Sequence, residues 1–229
     1  MARLTPFELQ RRIGADADGK FGKQSKRLMF AALTNLRAPA LTDADIIAVA
    51  DDLKVNPAII RAVRKVEAPR GPFDDEGRPS ILYERHVFHR NTAPPGLFSE
   101  RNTTLSASKG YGPGGYGAFS AQYDRLAAAC ALDPHAAFEA CSWGAFQVLG
   151  ENWEALEYAS PFDMALALTT SEAAHLDSFS RFVKANDLED ELRACKPGDP
   201  ESCIPFVSRY NGPGFRAFNY HIKLAQAAL

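Results

Sequence analysis

Apolar residues recur at helical spacing behind a series of helix-starting residues, and this limits the fold more than any other feature of the chain. Thr42 stands before DADIIAVADDL, in which Ile46, Val49, Ala50 and Leu53 fall on one helical face. Asn56 caps a second helix with Pro57 in its first turn; Ile59, Ile60, Val63 and Val66 form its apolar face, and Pro69 and Gly71 end it. Ser120 before AQYDRLAAACAL and the pair Asp133-Pro134 before HAAFEACSW repeat the pattern. Residues 25–36, 161–170, 172–184, 188–195 and 218–229 read as further helices. Strand signals are scarce: SILYERHVF, residues 80–88, reads as a short extended run entering a turn. No glycine fingerprint follows a strand and no G-x-S-x-G elbow is present, so nucleotide-binding and α/β-hydrolase folds are excluded. The expectation is a mainly helical domain with a few short extended pieces.

With 46% hydrophobic and 24% charged residues over 229 positions, the chain has the material for one sizeable core. A formal net charge of -2 gives no reason to expect nucleic-acid binding. No apolar stretch approaches the length of a membrane span, and MARLTPFELQRR lacks the apolar core of an ordinary secretory signal. No stable membrane insertion is therefore expected. Residues 1–37 carry eight basic and three acidic groups, so this segment alone is cationic. Its loop GADADGKFG has acidic spacing but lacks the closing glutamate of a calcium loop. Four cysteines occur without a CxxC pair and without histidines at ligand spacing, so no metal or other cofactor is implied. Cys130 reads as a buried thiol; Cys195 and Cys203 flank a Pro/Gly turn, and whether they are bridged is open.

Three stretches carry candidate chemistry. Glu67 lies four residues past Val63 and seven past Ile60, so a carboxyl shares the apolar face at the end of a helix. Desolvation there raises a carboxyl pKa toward the range of a general acid, unless Arg64 or Arg70 pairs with it. Glu84, Arg85, His86 and His89 form a polar cluster bounded by aromatics. Residues 91–117, rich in glycine and proline, form a long aperiodic loop whose aromatics Phe98, Tyr111 and Tyr116 either stack on sugar faces or pin the loop. In CSWGAFQVLGENW, Trp143 and Phe146 are bulky, whereas Gln147 and Asn152 suit neutral polar ligands such as acetamido sugars or, alternatively, a satisfied core corner.

Taken together and in order, VRKVEAPRGPF, ILYERHVF, SWGAFQVLGENW and RYNGPGF resemble the N-acetylmuramidase domain of bacteriophage endolysins, of the lysozyme superfamily. The resemblance spans residues 42–229; residues 1–37 resemble a truncated peptidoglycan-binding module. It implies a lysozyme-like fold, mainly α with a small α+β region, and a cleft beside a loop-rich segment. It implies cleavage of the β-1,4 bond between N-acetylmuramic acid and N-acetylglucosamine, with Glu67 as the acid and Glu84 as the candidate second carboxylate. His86, Tyr116, Trp143, Phe146, Gln147, Asn152, Tyr210 and Asn211 are the candidate substrate contacts. Where the family has a serine after its glutamate, Ala68 stands here. Glycan strands of peptidoglycan are the implied partner of a monomer held in the host cytoplasm until a holin-like pore releases it to the wall. The alternatives are a lytic transglycosylase, which leaves 1,6-anhydro ends, and a non-catalytic peptidoglycan-binding structural protein.

Overall fold

Local capping chemistry sets the first helices. In the computed structural model, which describes residues 3–69, 71–99, 102–110, 112 and 114–229, Thr5 closes a capping box with Glu8 and opens α1 (Pro6–Arg12). Arg70 and Tyr111, singled out above, lie outside the described residues. The following loop folds back around the buried side chain of Gln10, which donates to Asp18 Oδ1 (2.8 Å), Lys20 O (3.1 Å) and Ser25 Oγ (3.1 Å) and leads into α2 (Lys23–Ala32). Thr42 and Asp45 form a second capping box at α3 (Asp43–Leu53), and Asn56 Oδ1 accepts from Ala58 N at 2.9 Å to start α4 (Pro57–Glu67). Ile59, Ile60, Ala62 and Val63 of α4 are buried; each of the larger three contributes about 1.5–3 kcal/mol on removal from water.

After α4 the chain turns through residues 68–80 into β1 (Ile81–Tyr83). The extended run expected over residues 80–88 ends there: Glu84 is the N-cap of a helix, α5 (Arg85–Asn91). Next come α6 (Gln122–Cys130), α7 (Pro134–Glu139), β2 (Cys141–Trp143) and β3 (Val148–Leu149). Ser120 does not cap α6; it lies inside a 3-10 turn, Phe119–Ala121, that runs into the helix. The strands form one antiparallel sheet in the order β1-β2-β3, with Ile81 opposite Trp143, Tyr83 opposite Cys141 and Ser142 opposite Leu149. Ile81, Tyr83, Cys141, Trp143 and Val148 are buried, so one face of the sheet belongs to the core. Leu82, Ser142 and Leu149 alternate onto the other face.

The remaining helices are α8 (Pro161–Leu168), α9 (Glu172–Ala185), α10 (Glu189–Ala194), α11 (Pro200–Tyr210) and α12 (Tyr220–Ala227). α12 packs against both α4 and α11, which seats the end of α4 in a helical wall. The fold is thus mainly α with one small sheet, as in lysozyme-like proteins. The N-terminal helices join the same packing. Leu9, Met29 and Leu33 are buried, Phe30 meets Tyr123 edge to face at 5.7 Å, and Asn35 Nδ2 donates to Thr169 O at 2.8 Å. All four cysteines are buried free thiols, Cys195 and Cys203 included.

The long loop over residues 91–117 draws its order from two arginines. The buried Arg85 donates to Lys109 O and Thr103 O, both at 2.9 Å, and Arg125 donates to Gly115 O at 2.6 Å and also to Tyr116 O and Thr104 O. Tyr83 Oη donates to Leu105 O at 2.8 Å, and Phe98 stacks on Phe88 at 6.1 Å. Backbone carbonyls that no helix or strand satisfies are met by guanidinium donors instead. Of the loop aromatics, Phe98 therefore pins the loop.

Candidate active site

Two carboxylates flank the stretch made of the segment after α4 and the strand β1. Glu67 is the last residue of α4 and Glu84 directly follows β1. The intervening segment is tied down by Ser80, whose N donates to Pro72 O and whose Oγ donates to Gly71 O, both at 2.8 Å. Gly144 N donates to Ser80 O at 2.7 Å, which joins this segment to the turn after β2.

Glu67 is partly buried between α4, α11 and α12. It lines a small cavity with Val63, Phe206, Val207, Tyr220 and Leu224. Asn211 Nδ2 donates to Glu67 Oε1 at 2.8 Å, and among the described residues no other hydrogen bond reaches this carboxyl. Burial pushes its pKa up to about 7; the Asn211 hydrogen bond and the positive charge of Lys223 pull the other way. Arg64, the described candidate for neutralising it, pairs instead with Glu172 of α9, whose side chain is only 3% exposed. A carboxyl poised this way holds its proton near neutral pH and can give it up.

Asn211 is positioned by its neighbour. Tyr210, the last residue of α11, donates its hydroxyl to Phe146 O and packs its ring among Phe179, Phe182 and Phe206. Burial and the nearby Glu67 raise the Tyr210 pKa far above its ordinary value, so the phenol stays a neutral donor. Glu67, Asn211, Tyr210 and the 3-10 turn Gly144–Phe146 thus form one connected chain.

Gln147 continues it. Its backbone is left-handed, with φ 49° and ψ 39°, and its Nε2 donates to Gly144 O at 2.9 Å and Ser80 O at 3.4 Å. With both amide hydrogens committed to backbone, Oε1 is left as an acceptor.

Glu84 has a different setting. Its Oε1 accepts from Ser142 Oγ at 2.8 Å, and its Oε2 lies 3.7 Å from His86 Nε2. His86 and Tyr116 meet over Gly110: a methyl placed on that glycine would stand 3.0 Å from His86 Nδ1 and 2.8 Å from Tyr116 Oη. Glu84, His86 and Tyr116 therefore make a second polar group, on the loop side of the sheet. No cluster of three or more His, Cys, Asp or Glu able to hold a metal ion occurs among the described residues.

The model of the N-acetylmuramidase family matches residues 56–229, a stretch that contains every residue of this arrangement. The chain belongs to the N-acetylmuramidase family. It is a glycosidase of the muramidase type, with peptidoglycan as its class of substrate. Among solved structures it is similar to the crystal structure of the Burkholderia AP3 phage endolysin, with 32% identity and a TM-score of 0.72 over 99% of this chain and 97% of that one. No curated protein matches it in sequence.

Within this muramidase fold, two of the expected substrate contacts lie in the core. Trp143 is 1% exposed, stacks on Phe138 at 5.8 Å and donates Nε1 to Phe138 O at 3.2 Å. Phe146 is 0% exposed and stacks on Phe179 at 4.8 Å. Both are core side chains. Strand alternation sends Trp143 inward where its neighbour Ser142 goes to the other face, and Phe146 serves the site through its carbonyl alone. Asn152 caps the end of β3, donating to Leu149 O at 2.9 Å, and is tied by hydrogen bonds to neither carboxylate.

Two contributors escaped the sequence reading. Ser142 holds Glu84. His175, buried on α9, accepts from Ala145 N at 3.0 Å through Nδ1 and meets Leu168 O at 2.7 Å through Nε2, which makes it the brace under the Gly144–Phe146 turn. Burial pushes its pKa down to about 4, so it stays neutral. Gly144 lies against it, at φ 70°. The signal for His175 was available: it shares a helical face with Leu176, Phe179 and Val183.

Proposed function

We propose that the protein hydrolyses the β-1,4 bond between N-acetylmuramic acid and N-acetylglucosamine, with Glu67 as general acid. The geometry that carries this is the partly buried Glu67 carboxyl, whose Oε1 accepts from Asn211 and whose pKa burial pushes up to about 7. The proton then resides on Oε2. It passes to the glycosidic oxygen as the bond to the anomeric carbon breaks and positive charge develops on the sugar. Gln147 Oε1 accepts an acetamido N–H. Tyr210 acts by position, holding the α11 end that carries Asn211.

Glu84 is the second carboxylate of the proposal. Ser142 and His86 hold it at the sheet edge, where it serves the oxocarbenium-like centre as base or nucleophile. Glu84→Gln is expected to lower kcat about a hundredfold or more with an unchanged Tm. Near wild-type turnover would make Glu84 a scaffold residue.

Asn211 provides a further check. Its hydrogen bond stabilises the charged form of Glu67, so Asn211→Ala should move the alkaline limb of the kcat/KM profile to higher pH. An unmoved limb would remove Asn211 from the acid's environment.

A digest of purified peptidoglycan read by mass spectrometry tests the reaction itself. Hydrolysis gives reducing muramic ends, heavier by one water than the 1,6-anhydro ends of a lytic transglycosylase. Anhydro products would overturn hydrolysis, and no products at all would leave only binding. On the same reading the protein works as a monomer on glycan strands and waits in the host cytoplasm for release through a holin-like pore; the family resemblance supports this.

A further inference from the structure

The face of α4 that turns away from Glu67's cavity carries cations that the glycosidase chemistry does not use. Arg61, Arg64 and Lys65 are spaced to share one helical face with Ala68, and they line one wall of a groove of about 650 Å³. That volume lies within the range of about 300–1,000 Å³ typical of small-ligand sites. Leu41, Ile46 and Pro69 give the groove an apolar side. Arg64 is fixed by the buried Glu172. Arg61 is paired at 2.7 Å with Asp43, whose side chain is 79% exposed, so this pair is open to exchange with an incoming anion. Lys65 is exposed and has no ion pair among the described residues. With Arg64 held by Glu172 and Arg61 by Asp43, which also lines the groove, Lys65 is the surplus cation, and a neutral glycan has no use for it. A short acidic peptide with small apolar side chains matches both sides of the groove. Ala68, part of its lining, directly follows Glu67, so the groove begins about one residue, or ~3.8 Å of chain, from the proposed acid.

We propose that this groove binds the acidic stem peptide carried on the lactyl group of muramic acid, with Arg61 and Lys65 receiving its carboxylates. The stem is covalently attached to the sugar beside the scissile bond, so a stem-binding groove has to lie within reach of the acid, and this one begins at Ala68, the residue after Glu67. The proposal rests on the muramidase reading above and adds to it a preference for stem-bearing glycan.

The test compares kcat/KM on two substrates, intact peptidoglycan and the same peptidoglycan with its stem carboxylates converted to amides. Wild type is expected to favour the intact glycan about five- to tenfold, the effect of one or two exposed charge pairs. In Arg61→Gln/Lys65→Gln that ratio should fall toward one. In Asp43→Asn, which frees Arg61 without removing a cation, it should rise; this variant keeps the test decisive if the double variant folds poorly. Equal rates on the two substrates in wild type, or a wild-type ratio in the double variant, would overturn the groove assignment while leaving the glycosidase intact. Wild type that cleaves neither substrate would overturn the muramidase reading and this proposal with it.

Discussion

Glu67→Gln is expected to lose at least about a thousandfold in turnover on peptidoglycan while keeping its fold, because glutamine preserves the shape and the Asn211 contact but has no proton to give. The same substitution has a signature in stability. The carboxyl's pKa rises from an ordinary 4.5 when unfolded to about 7 when folded. Between those values the folded state binds more protons, so its stability falls as pH rises. The contribution is complete below the unfolded value and is lost as pH passes through the folded one, an effect of about 3 kcal/mol. Glutamine is indifferent to pH. Glu67→Gln should therefore melt above wild type at pH 8 and lose that advantage near pH 4. Wild-type lysis by a folded Glu67→Gln protein would remove Glu67 from the chemistry. Parallel melting curves at the two pH values would remove its burial.

Gly144→Ala should be among the most damaging small changes at the site. Gly144 has φ 70°, and a methyl there would lie 2.6 Å from His175 Nδ1. The left-handed backbone costs an alanine about 1 kcal/mol or more. Displacing His175 breaks its bonds to Ala145 N and Leu168 O, and the turn that receives the Tyr210 hydroxyl moves with it. A loss of about 3–5 kcal/mol is expected, seen as a fall in Tm of about 10 °C. Activity should fall further than stability explains, since Gln147 and Asn211 both hang on this turn. A double-mutant cycle with His175→Ala isolates the cause: if the clash dominates, the pair is less than additive. Full additivity would point to backbone strain alone.

What could be read in advance was local. Asn56 and Pro57 start α4, the apolar spacing runs to Val63, and the period then puts Glu67 on the inner side. Those signals lie within twelve residues, Asn56 to Glu67. Where distant contacts decide, sequence patterns failed. α5 begins at Arg85 because β1 ends against β2 and the Arg85 guanidinium is buried under carbonyls from residues 103 and 109. No spacing in SILYERHVF announces that. The inward turn of Trp143 follows from alternation along a strand of three residues, too short for the pattern to stand out in the sequence. The partner of Asn211 was legible only as a motif, since the hydrogen bond spans 144 residues of chain.

The most direct measurement is a titration of the Glu67 carboxyl itself, followed by carbon NMR of side-chain-labelled glutamate and assigned by its absence in Glu67→Gln. A midpoint near pH 7 is predicted. A midpoint near the ordinary 4.5 would mean that the group is ionised when substrate arrives, and the proposed acid would have no proton to deliver.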